Sequence, residues 1–359
     1  MNKKILKMNK NKFDKYLTMF MIILIYIIVE IFMKYGLISS LVRGLLVPFC
    51  TYAIAAVGLN LVVGISGELS LGHAGFMCVG AFMSSIFTRY MKFMGYEGLH
   101  IFFIGLLIGV FFAALIGFLI GIPVLRLRGD YLAIVTLAFG EIIKNIFNAI
   151  YLGFDKSGAH ISLKNTMDLK LSEGGFVVIK GAQGITGTPN YSNFTIGVIF
   201  LLIVSVISYN LIYSRTGRNV KALRDNITAG ESVGIKVTKT KLTIFTISSA
   251  IAGLAGVLYA HNLNTLTALP KNFGYNMSIQ ILVFVVLGGM GNIRGSIISA
   301  VILTLLPEVL RGLQDYRMLI YAIVLILVML FTQAPSLINL KNILYEKVLS
   351  KKKEANTNE

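Results

Sequence analysis

The sequence contains few residues of the kinds that build redox, metal or nucleotide sites. Only two of its 359 residues are cysteines, Cys50 and Cys78, and both lie in apolar stretches, so no disulfide framework is predicted. The four histidines are scattered without metal-ligand spacing, which excludes a zinc site. No glycine is followed by lysine, so the phosphate-binding loop G-x-x-x-x-G-K-S/T is absent. Because no nucleophile–base arrangement is present either, we predict a protein that is not an enzyme and binds no metal or cofactor itself.

Charged residues are also scarce. They make up 14% of the chain against 56% hydrophobic residues, a balance that cannot cover a water-soluble surface. Apolar runs long enough to cross a hydrocarbon core of about 30 Å recur along the chain. We interpret ten of them as spans: residues 17–33, 44–63, 70–88, 99–122, 130–151, 194–213, 242–261, 278–288, 296–310 and 318–333.

The eighth run is too short to span alone and is predicted to re-enter or break. Because lipid offers no hydrogen-bond partners to the backbone, the runs are predicted to be helices. The predicted fold is therefore an all-α polytopic membrane protein with about ten transmembrane helices (8–10), some of them broken or re-entrant.

The basic residues orient this helical domain. With ten helices, 21 lysines and arginines fall on one side of the membrane and 11 on the other, so the positive-inside rule places both termini in the cytoplasm. The predicted organisation is a basic cytoplasmic tail at 1–16, a transmembrane domain at 17–333 and a cytoplasmic tail at 334–359. Within the domain, 152–193 is predicted to be an extracytoplasmic loop and 214–241 the largest cytoplasmic loop. The first run is predicted to be retained, because no small-residue cleavage site follows it.

A net charge of +17 is also typical of nucleic-acid-binding proteins. Here the charge is divided among separate loops and is not interleaved with aromatic residues, which argues against a nucleic-acid surface. We attribute the charge to the orientation signal and to the anionic lipid of the cytoplasmic leaflet. Membrane lipid is therefore a predicted partner and nucleic acid is not.

One predicted span is interrupted by "GISGELSLGHAGF" at residues 64–76, where glycines, serines, a glutamate and a histidine separate two apolar runs. Two interpretations are open. Small residues favour close helix packing, whereas a broken helix with polar residues is also typical of a transport pathway. A similar stretch, "GGMGN" at 288–292, weakly indicates two related halves. The candidates for a helix break or pathway are Gly64, Gly67, Ser70, Gly72, His73, Gly288 and Gly291.

Four polar side chains in the apolar runs receive more specific predictions. Ser70 is expected to bond backbone groups that the interruption exposes, and His73 is expected to be a packing or hydrogen-bonding residue. Glu141 and Lys144 lie three residues apart on one helix face, and a structural ion pair is favoured. Because charges inside spans also mark functional sites, a functional role stays the alternative.

The loop at 214–241 is predicted to contain short helices. An apolar stripe at helical spacing is formed by Val220, Leu223, Ile227 and Val233. Another face carries Arg218, Lys221 and Arg224. Thr228 is a predicted N-cap with Glu231 as its capping-box partner, and Gly234 is predicted to end that helix. An anchor in the membrane interface and a docking surface for a cytoplasmic protein are equally open interpretations.

Five segments, taken in order, resemble one family. They are "GLNLVVGISGELSLGHAGFMCVGAF", "LRLRGDYLAIVTLAFGEIIKNI", "GITG", "GRNVKALRDNITAGESVGIKVTKTKLTIFTISSAIAGLAGVLYA" and "FGYNMSIQILVFVVLGGMGNIRGSIISAVIL". Each alone is a glycine-rich apolar segment, but the ordered set is specific. Over roughly residues 44–312 the chain resembles the permease subunit of branched-chain amino-acid ABC importers, the LivM type.

The resemblance implies a subunit that forms the translocation pathway for branched-chain amino acids in the bacterial plasma membrane. It implies a sister permease, two cytoplasmic ATPases that bind ATP and Mg, and an extracytoplasmic substrate-binding protein. The loop at 214–241 matches the ATPase-coupling region, although it has "AGESVG" where importers generally have Glu-Ala-Ala followed by Gly. The implied coupling residues are Gly217, Arg218, Arg224, Thr228, Ala229, Glu231 and Gly234.

Three alternative functions remain open beside this interpretation. Urea and short-amide importers use similar permeases, so the resemblance predicts the class of transporter more specifically than the ligand. An ion-coupled secondary transporter would need a buried carboxylate cluster, which the sequence does not show. A membrane-embedded enzyme would need paired catalytic groups at one membrane face, and these are absent too.

Overall fold

The computed structural model describes most of the chain in two units, Met1–Val301 and Ile302–Glu359. For residues 2–13 it gives the backbone alone. The predicted tail at 334–359, and most of the predicted run at 318–333, lie outside the described residues. The described residues are 2–310 without 128, 156, 157 and 173, together with 316, 319, 320, 322, 323, 326, 327 and 330.

Helices form most of the described structure. They are α1 (Asn2–Lys34), α2 (Ser40–Asn60), α3 (His73–Phe93), α4 (Leu99–Val124), α5 (Asp130–Ala149), α6 (Phe194–Tyr213), α7 (Arg215–Asp225), α8 (Ile227–Ser232), α9 (Val237–Ala260), α10 (Pro270–Phe273), α11 (Tyr275–Gly288) and α12 (Ile293–Val309). A π-helix (Leu61–Ser66) continues α2, and short 3-10 turns occupy Met167–Leu169 and Gly181–Gln183. The strands are β1 (Tyr151–Asp155), β2 (Gly158–Ser162), β3 (Phe176–Lys180), β4 (Ile185–Thr186) and β5 (Thr265–Leu266).

The first nine predicted apolar runs all fall on helices, but the count of about ten spans is not confirmed. Within the described residues, six helices are long and apolar enough to cross a membrane: Asp14–Lys34, Ser40–Ser66, Leu99–Val124, Asp130–Ala149, Phe194–Tyr213 and Val237–Ala260. Helix α3 has 21 residues, but its polar residues lower its mean hydropathy. Helix α11 has 14 residues, about 21 Å, so it is too short to span alone, as the eighth run predicted.

A small antiparallel sheet corrects the prediction of an all-α chain. Its five strands have the order β2-β1-β3-β4-β5, and four of them lie within the predicted loop at 152–193 or start directly before it. The fifth strand comes from the segment after α9, where Leu266 pairs with Ile185. The strands contain only two to five residues, which is too short for a clear alternating pattern in the sequence. In addition, β4 and β5 pair across about 80 residues of chain, so no local signal indicates that they meet. From the sequence, residues 152–193 are predicted only as an extracytoplasmic loop.

Glycines bring the central helices into direct backbone contact. Helix α9 packs against α2, α3 and α4. A Cβ atom at Gly80 of α3 would lie 2.6 Å from the Cα of Gly253, and one at Gly256 would lie 2.7 Å from the carbonyl carbon of Met77. Such distances leave no room for a methyl group. Small residues at the contact therefore set how closely α3 and α9 approach, as is common in membrane helices.

This packing predicts that Gly256→Ala destabilises the fold. The added methyl group must displace the α3 backbone at Met77, and overpacking of this kind costs about 2 kcal/mol. Thermal unfolding of the purified protein in detergent measures the change. Gly44→Ala is the matched control, because nothing lies within 4 Å of its Cβ position, and it should be neutral or slightly stabilising. Equal melting temperatures for both variants would contradict the packing argument.

Candidate functional site

The interruption predicted at 64–76 is present as a break between two helices. Helix α2 continues into the π-helix Leu61–Ser66, which ends at Gly67 in the left-handed conformation (φ 74°). Residues 67–72 are not helical, and α3 begins at His73. A π-helical turn is rare and is frequently found at functional sites. The break therefore combines two unusual backbone conformations within one apolar segment.

Hydroxyl groups from other helices bond the backbone of the break. Thr136 Oγ1 of α5 accepts a hydrogen bond from Leu71 N (3.0 Å), and Ser278 Oγ of α11 accepts one from Ala74 N (3.1 Å). The expectation for Ser70 was wrong, since its hydroxyl is buried and has no hydrogen-bond partner among the described residues.

Gly72 and His73 hold the end of the break against neighbouring helices. A Cβ atom at Gly72 would lie 2.5 Å from the Thr136 carbonyl oxygen, so α5 packs directly on this glycine. His73 is buried, with Nε2 2.9 Å from Ser248 Oγ. Because Ser248 Oγ donates its proton to Gly58 O (2.5 Å), it accepts from His73 Nε2–H. His73 thus links α3, α9 and α2, as expected of a hydrogen-bonding residue.

The two glycine-rich stretches, which the sequence analysis related only weakly, meet in space. Helix α11 ends at Gly288, and α12 begins at Ile293 after a turn with positive φ at Gly289 and Gly291. A Cβ atom at Gly64 would lie 2.9 Å from the Cα of Gly291. The turn between α11 and α12 therefore rests on the last turn of the π-helix.

Asn60, which the sequence analysis did not select, connects these stretches by hydrogen bonds. Its Oδ1 accepts from Gly291 N (2.7 Å), and its Nδ2 donates to Ser296 Oγ of α12 (2.9 Å). The side chain is buried, so both ends of the amide are satisfied inside the protein. The sequence feature that could have indicated its role is a single asparagine near the end of an apolar run. Gly288 packs close by, since its Cβ would lie 2.5 Å from Gly295 O.

The cytoplasmic loop predicted at 214–241 contains the two expected short helices, α7 and α8. Ser214 Oγ caps α7 by accepting from Gly217 N (3.1 Å). Val220 and Leu223 are buried and Ile227 is half-buried, which confirms three of the four positions of the apolar stripe. Val233 is 76% exposed, so its inclusion in the stripe was wrong. It lies at the C-cap, where helical spacing no longer places it on the buried face.

The predicted N-cap of α8 was wrong by two residues. Asn226 is the cap, with extended backbone (φ −158°, ψ 112°), and its Oδ1 accepts from Ala229 N (3.0 Å). Thr228 lies inside the helix and therefore cannot form a capping box with Glu231. Asparagine is at least as strong an N-cap as threonine, so the residue before Ile227 was the better candidate.

Gly234 ends α8 as predicted. It has φ 83°, and its N–H donates to Glu231 O (2.9 Å), while Ile235 N donates to Gly230 O (3.1 Å). This pair of bonds is the Schellman motif, which satisfies carbonyls that the helix end leaves free. Capped at both ends, α8 is a short but well-defined element.

Residues 214–236, which contain α7 and α8, form the α7–α8 loop, and Arg224 joins this loop to the helix break. Its Nη1 donates to Gly64 O (2.8 Å), and a Cβ atom at Gly67 would lie 2.6 Å from Arg224 Cγ. Arg218, by contrast, donates to Tyr213 O (2.8 Å) at the end of α6. The structure therefore brings the predicted coupling residue Arg224 together with the predicted break residues Gly64 and Gly67.

A groove of about 320 Å³ lies beside this contact. Its lining includes Gly67, Glu68, Asp130, Leu132, Leu223 and Lys241. Glu68 and Lys241 form an ion pair, and each side chain is only 11% exposed. Burial raises the pKa of the Glu68 carboxyl above its ordinary value, and the hydrogen bond and charge of Lys241 offset part of that increase.

Glu141 and Lys144 form the ion pair that their spacing predicted. Lys144 is buried, and Glu141 Oε1 also accepts from Tyr275 N (2.8 Å), the first residue of α11. A carboxylate near a helix N-terminus bonds free N–H groups and opposes the helix dipole. The contacts support the structural role that the sequence analysis favoured. Among the described residues, no group of three or more His, Cys, Asp and Glu side chains is placed to hold a metal ion.

Comparison with known proteins identifies the family. Residues 41–329 match the family model for the permease component of the branched-chain amino acid transport system. The chain belongs to this family. All of the break residues and all of the α7–α8 residues described above lie inside the matched segment.

Three relatives illustrate the range of the permease family. The chain is 37% identical to the high-affinity branched-chain amino acid permease LivM of Salmonella typhimurium, over 78% of this chain and 66% of LivM. It is 25% identical to BraD of Pseudomonas aeruginosa, a permease for the same ligands, over 75% of this chain and 84% of BraD. It is 28% identical to the fructose import permease FruG of Bifidobacterium longum, over 40% of this chain and 45% of FruG. No solved structure matches. The chain spans just under two thirds of the length of LivM.

The conformation of Gly234 predicts the effect of two substitutions there. Nothing lies within 4 Å of its Cβ position, so only backbone strain distinguishes the variants. Gly234→Val should open the end of α8 at a cost of about 1–2 kcal/mol, because a β-branched residue opposes positive φ. Gly234→Asn should change little, because asparagine tolerates this conformation. Hydrogen exchange of the Gly234 and Ile235 amides measures the difference, and equal protection in both variants would contradict it.

Proposed function

We propose that the chain is the membrane-spanning permease subunit of an ATP-driven importer of branched-chain amino acids in the bacterial plasma membrane. A sister permease, two cytoplasmic ATPases and an extracytoplasmic binding protein complete the proposed assembly, and ATP and Mg bind to the ATPases. The observation that carries the proposal is the contact between the capped α7–α8 loop and the helix break, through Arg224 and Gly64.

The α7–α8 loop supports the coupling part of this proposal. Coupling between distant sites requires packed elements with discrete arrangements. The loop meets this requirement because α7 buries Val220 and Leu223, while α8 is capped by Asn226 and stopped by Gly234. Arg218 and Glu231 are exposed on this element and are therefore accessible to an ATPase. A docking surface is therefore favoured over a simple interfacial anchor.

The meeting of the two glycine-rich turns supports a pathway at the break. In transporters, discontinuous helices place half-helix ends at the substrate pathway. Here the end of the π-helix and the turn before α12 lie against each other at Gly64 and Gly291. Movement of the α7–α8 loop would act on both turns at once, because Arg224 bonds Gly64 and Asn60 bonds Gly291.

The ligand is proposed from the relatives' names and from the sequence resemblance. LivM and BraD are named for branched-chain amino acids, and they match over most of this chain. FruG is named for fructose, and it matches over 40% of the chain. Leucine, isoleucine and valine are therefore the first ligands to test, with urea and fructose as alternatives.

The orientation predicts which loops a membrane-impermeant thiol reagent reaches. In a variant without Cys50 and Cys78, Lys164→Cys lies in the proposed extracytoplasmic loop and Thr238→Cys at the proposed cytoplasmic end of α9, and both positions are exposed. Because the basic residues favour cytoplasmic termini, Lys164→Cys should be labelled in intact cells and Thr238→Cys only after permeabilisation. Labelling of Thr238→Cys from outside would reverse the orientation.

Reconstitution tests the proposed function directly. The chain alone should neither hydrolyse ATP nor accumulate leucine in proteoliposomes, because it lacks a phosphate-binding loop. With its partner subunits it should take up leucine only when ATP and the binding protein are supplied. Uptake by the chain alone, driven by an ion gradient, would contradict the proposal and favour a secondary transporter. ATP-dependent uptake of urea or fructose in place of leucine would correct the ligand only.

A further inference from the structure

The ion pair between Glu68 and Lys241 joins two segments that are 173 residues apart in the chain. Glu68 follows Gly67 in the non-helical part of the break, and Lys241 lies in the second turn of α9. Helix α9 begins directly after the α7–α8 loop. The ion pair therefore connects the break to the helix that follows the α7–α8 loop. Arg224 connects the break to the loop itself, through its bond to Gly64.

Stability alone does not explain this ion pair. Both side chains are 11% exposed, so both charges have lost most of their hydration. The loss of hydration for two buried charges offsets most of their attraction, and an apolar pair of similar size often stabilises a fold as well or better. What an ion pair adds is a specific partner, because removing either charge leaves the other buried and uncompensated.

The surrounding contacts make this specificity important for the break. The two ends of the break are bonded to the adjoining helices, since the amides of Gly67 and Glu68 donate to Val62 O and the Gly72 carbonyl accepts from Gly75 N and Phe76 N. Between them, residues 69–71 make no backbone–backbone hydrogen bond with the described residues. Among the described residues, the side-chain hydrogen bonds of this segment are the Thr136 bond to Leu71 at its end and the Lys241 pair near its start. Position 68 is therefore held to α9 by charge, and the break must follow when the start of α9 moves.

We propose that Glu68 and Lys241 are positioning residues for transport: their ion pair transmits movement of the α7–α8 loop, through the start of α9, to the helix break. This inference rests on the proposed function. It assigns a second connection between loop and break, independent of Arg224 and of the ATPase docking surface. Neutral variants should therefore still bind the ATPases and hydrolyse ATP, but they should take up less leucine for each ATP hydrolysed.

The experiment uses the complete reconstituted complex. Glu68→Gln and Lys241→Gln each remove one charge, and the double variant E68K/K241E restores the pair with reversed signs. Lys239→Gln is the matched control, because Lys239 lies on the same turn of α9 but is exposed. Three quantities are measured for each: co-purification of the ATPases, binding-protein-stimulated ATP hydrolysis, and leucine taken up per ATP hydrolysed.

Both single variants should lower the leucine-to-ATP ratio by about five-fold, because substitution of a residue that couples distant sites changes the coupling by roughly 2- to 30-fold. Lys239→Gln should match the wild type, and the charge-reversed double variant should recover most of the ratio. Unchanged ratios in the single variants, or no recovery in the double variant, would overturn the inference while leaving the proposed function intact. Loss of the single variants from the membrane would also overturn it, since the pair would then act in folding. Failure of the wild-type complex to take up leucine would instead contradict the proposed function.

Discussion

A transmembrane helix that is interrupted must find hydrogen-bond partners for its released backbone groups inside the protein, because lipid supplies none. In this chain the partners come from three other helices. Thr136 of α5 and Ser278 of α11 bond the backbone near the start of α3, and Arg224 of α7 bonds Gly64 at the end of the π-helix. The break is therefore stable only while these elements keep their positions. A conformational change in any of them must alter the bonding of the break.

Features that depend on neighbouring residues could be predicted from the sequence. The break was indicated by polar residues and glycines inside an apolar run, and the end of α8 by a glycine after a helical pattern. The ion pair of Glu141 and Lys144 followed from a spacing of three on one helix face. In each case the information lies within one or two helical turns, where local geometry decides which side chains meet.

Features that depend on tertiary contacts were missed. Asn60 and Gly291 are 231 residues apart, and nothing local indicates that they bond. The strands around residues 151–186 are short, and β4 completes its pairing with β5 from beyond α9. The cap at Asn226 was missed for another reason, since two good capping residues lie close together and only the backbone conformation decides between them. Prediction therefore identified the segments of the site better than the side chains that hold them together.

Helix α9 physically connects the helix break to the segment that bears the strands. It contains 24 residues, about 36 Å of continuous helix. Lys241 pairs with Glu68 near its first turn, and just beyond its last turn His261 O accepts from Ser192 N (3.2 Å) and Asn264 O from Gly187 N (2.8 Å). Its glycines Gly253 and Gly256 lie against the α3 backbone, so the two helices are in close contact between these ends. Because α9 is one continuous helix, an axial displacement of α9 would change the groove at one end and the strand-bearing segment at the other together.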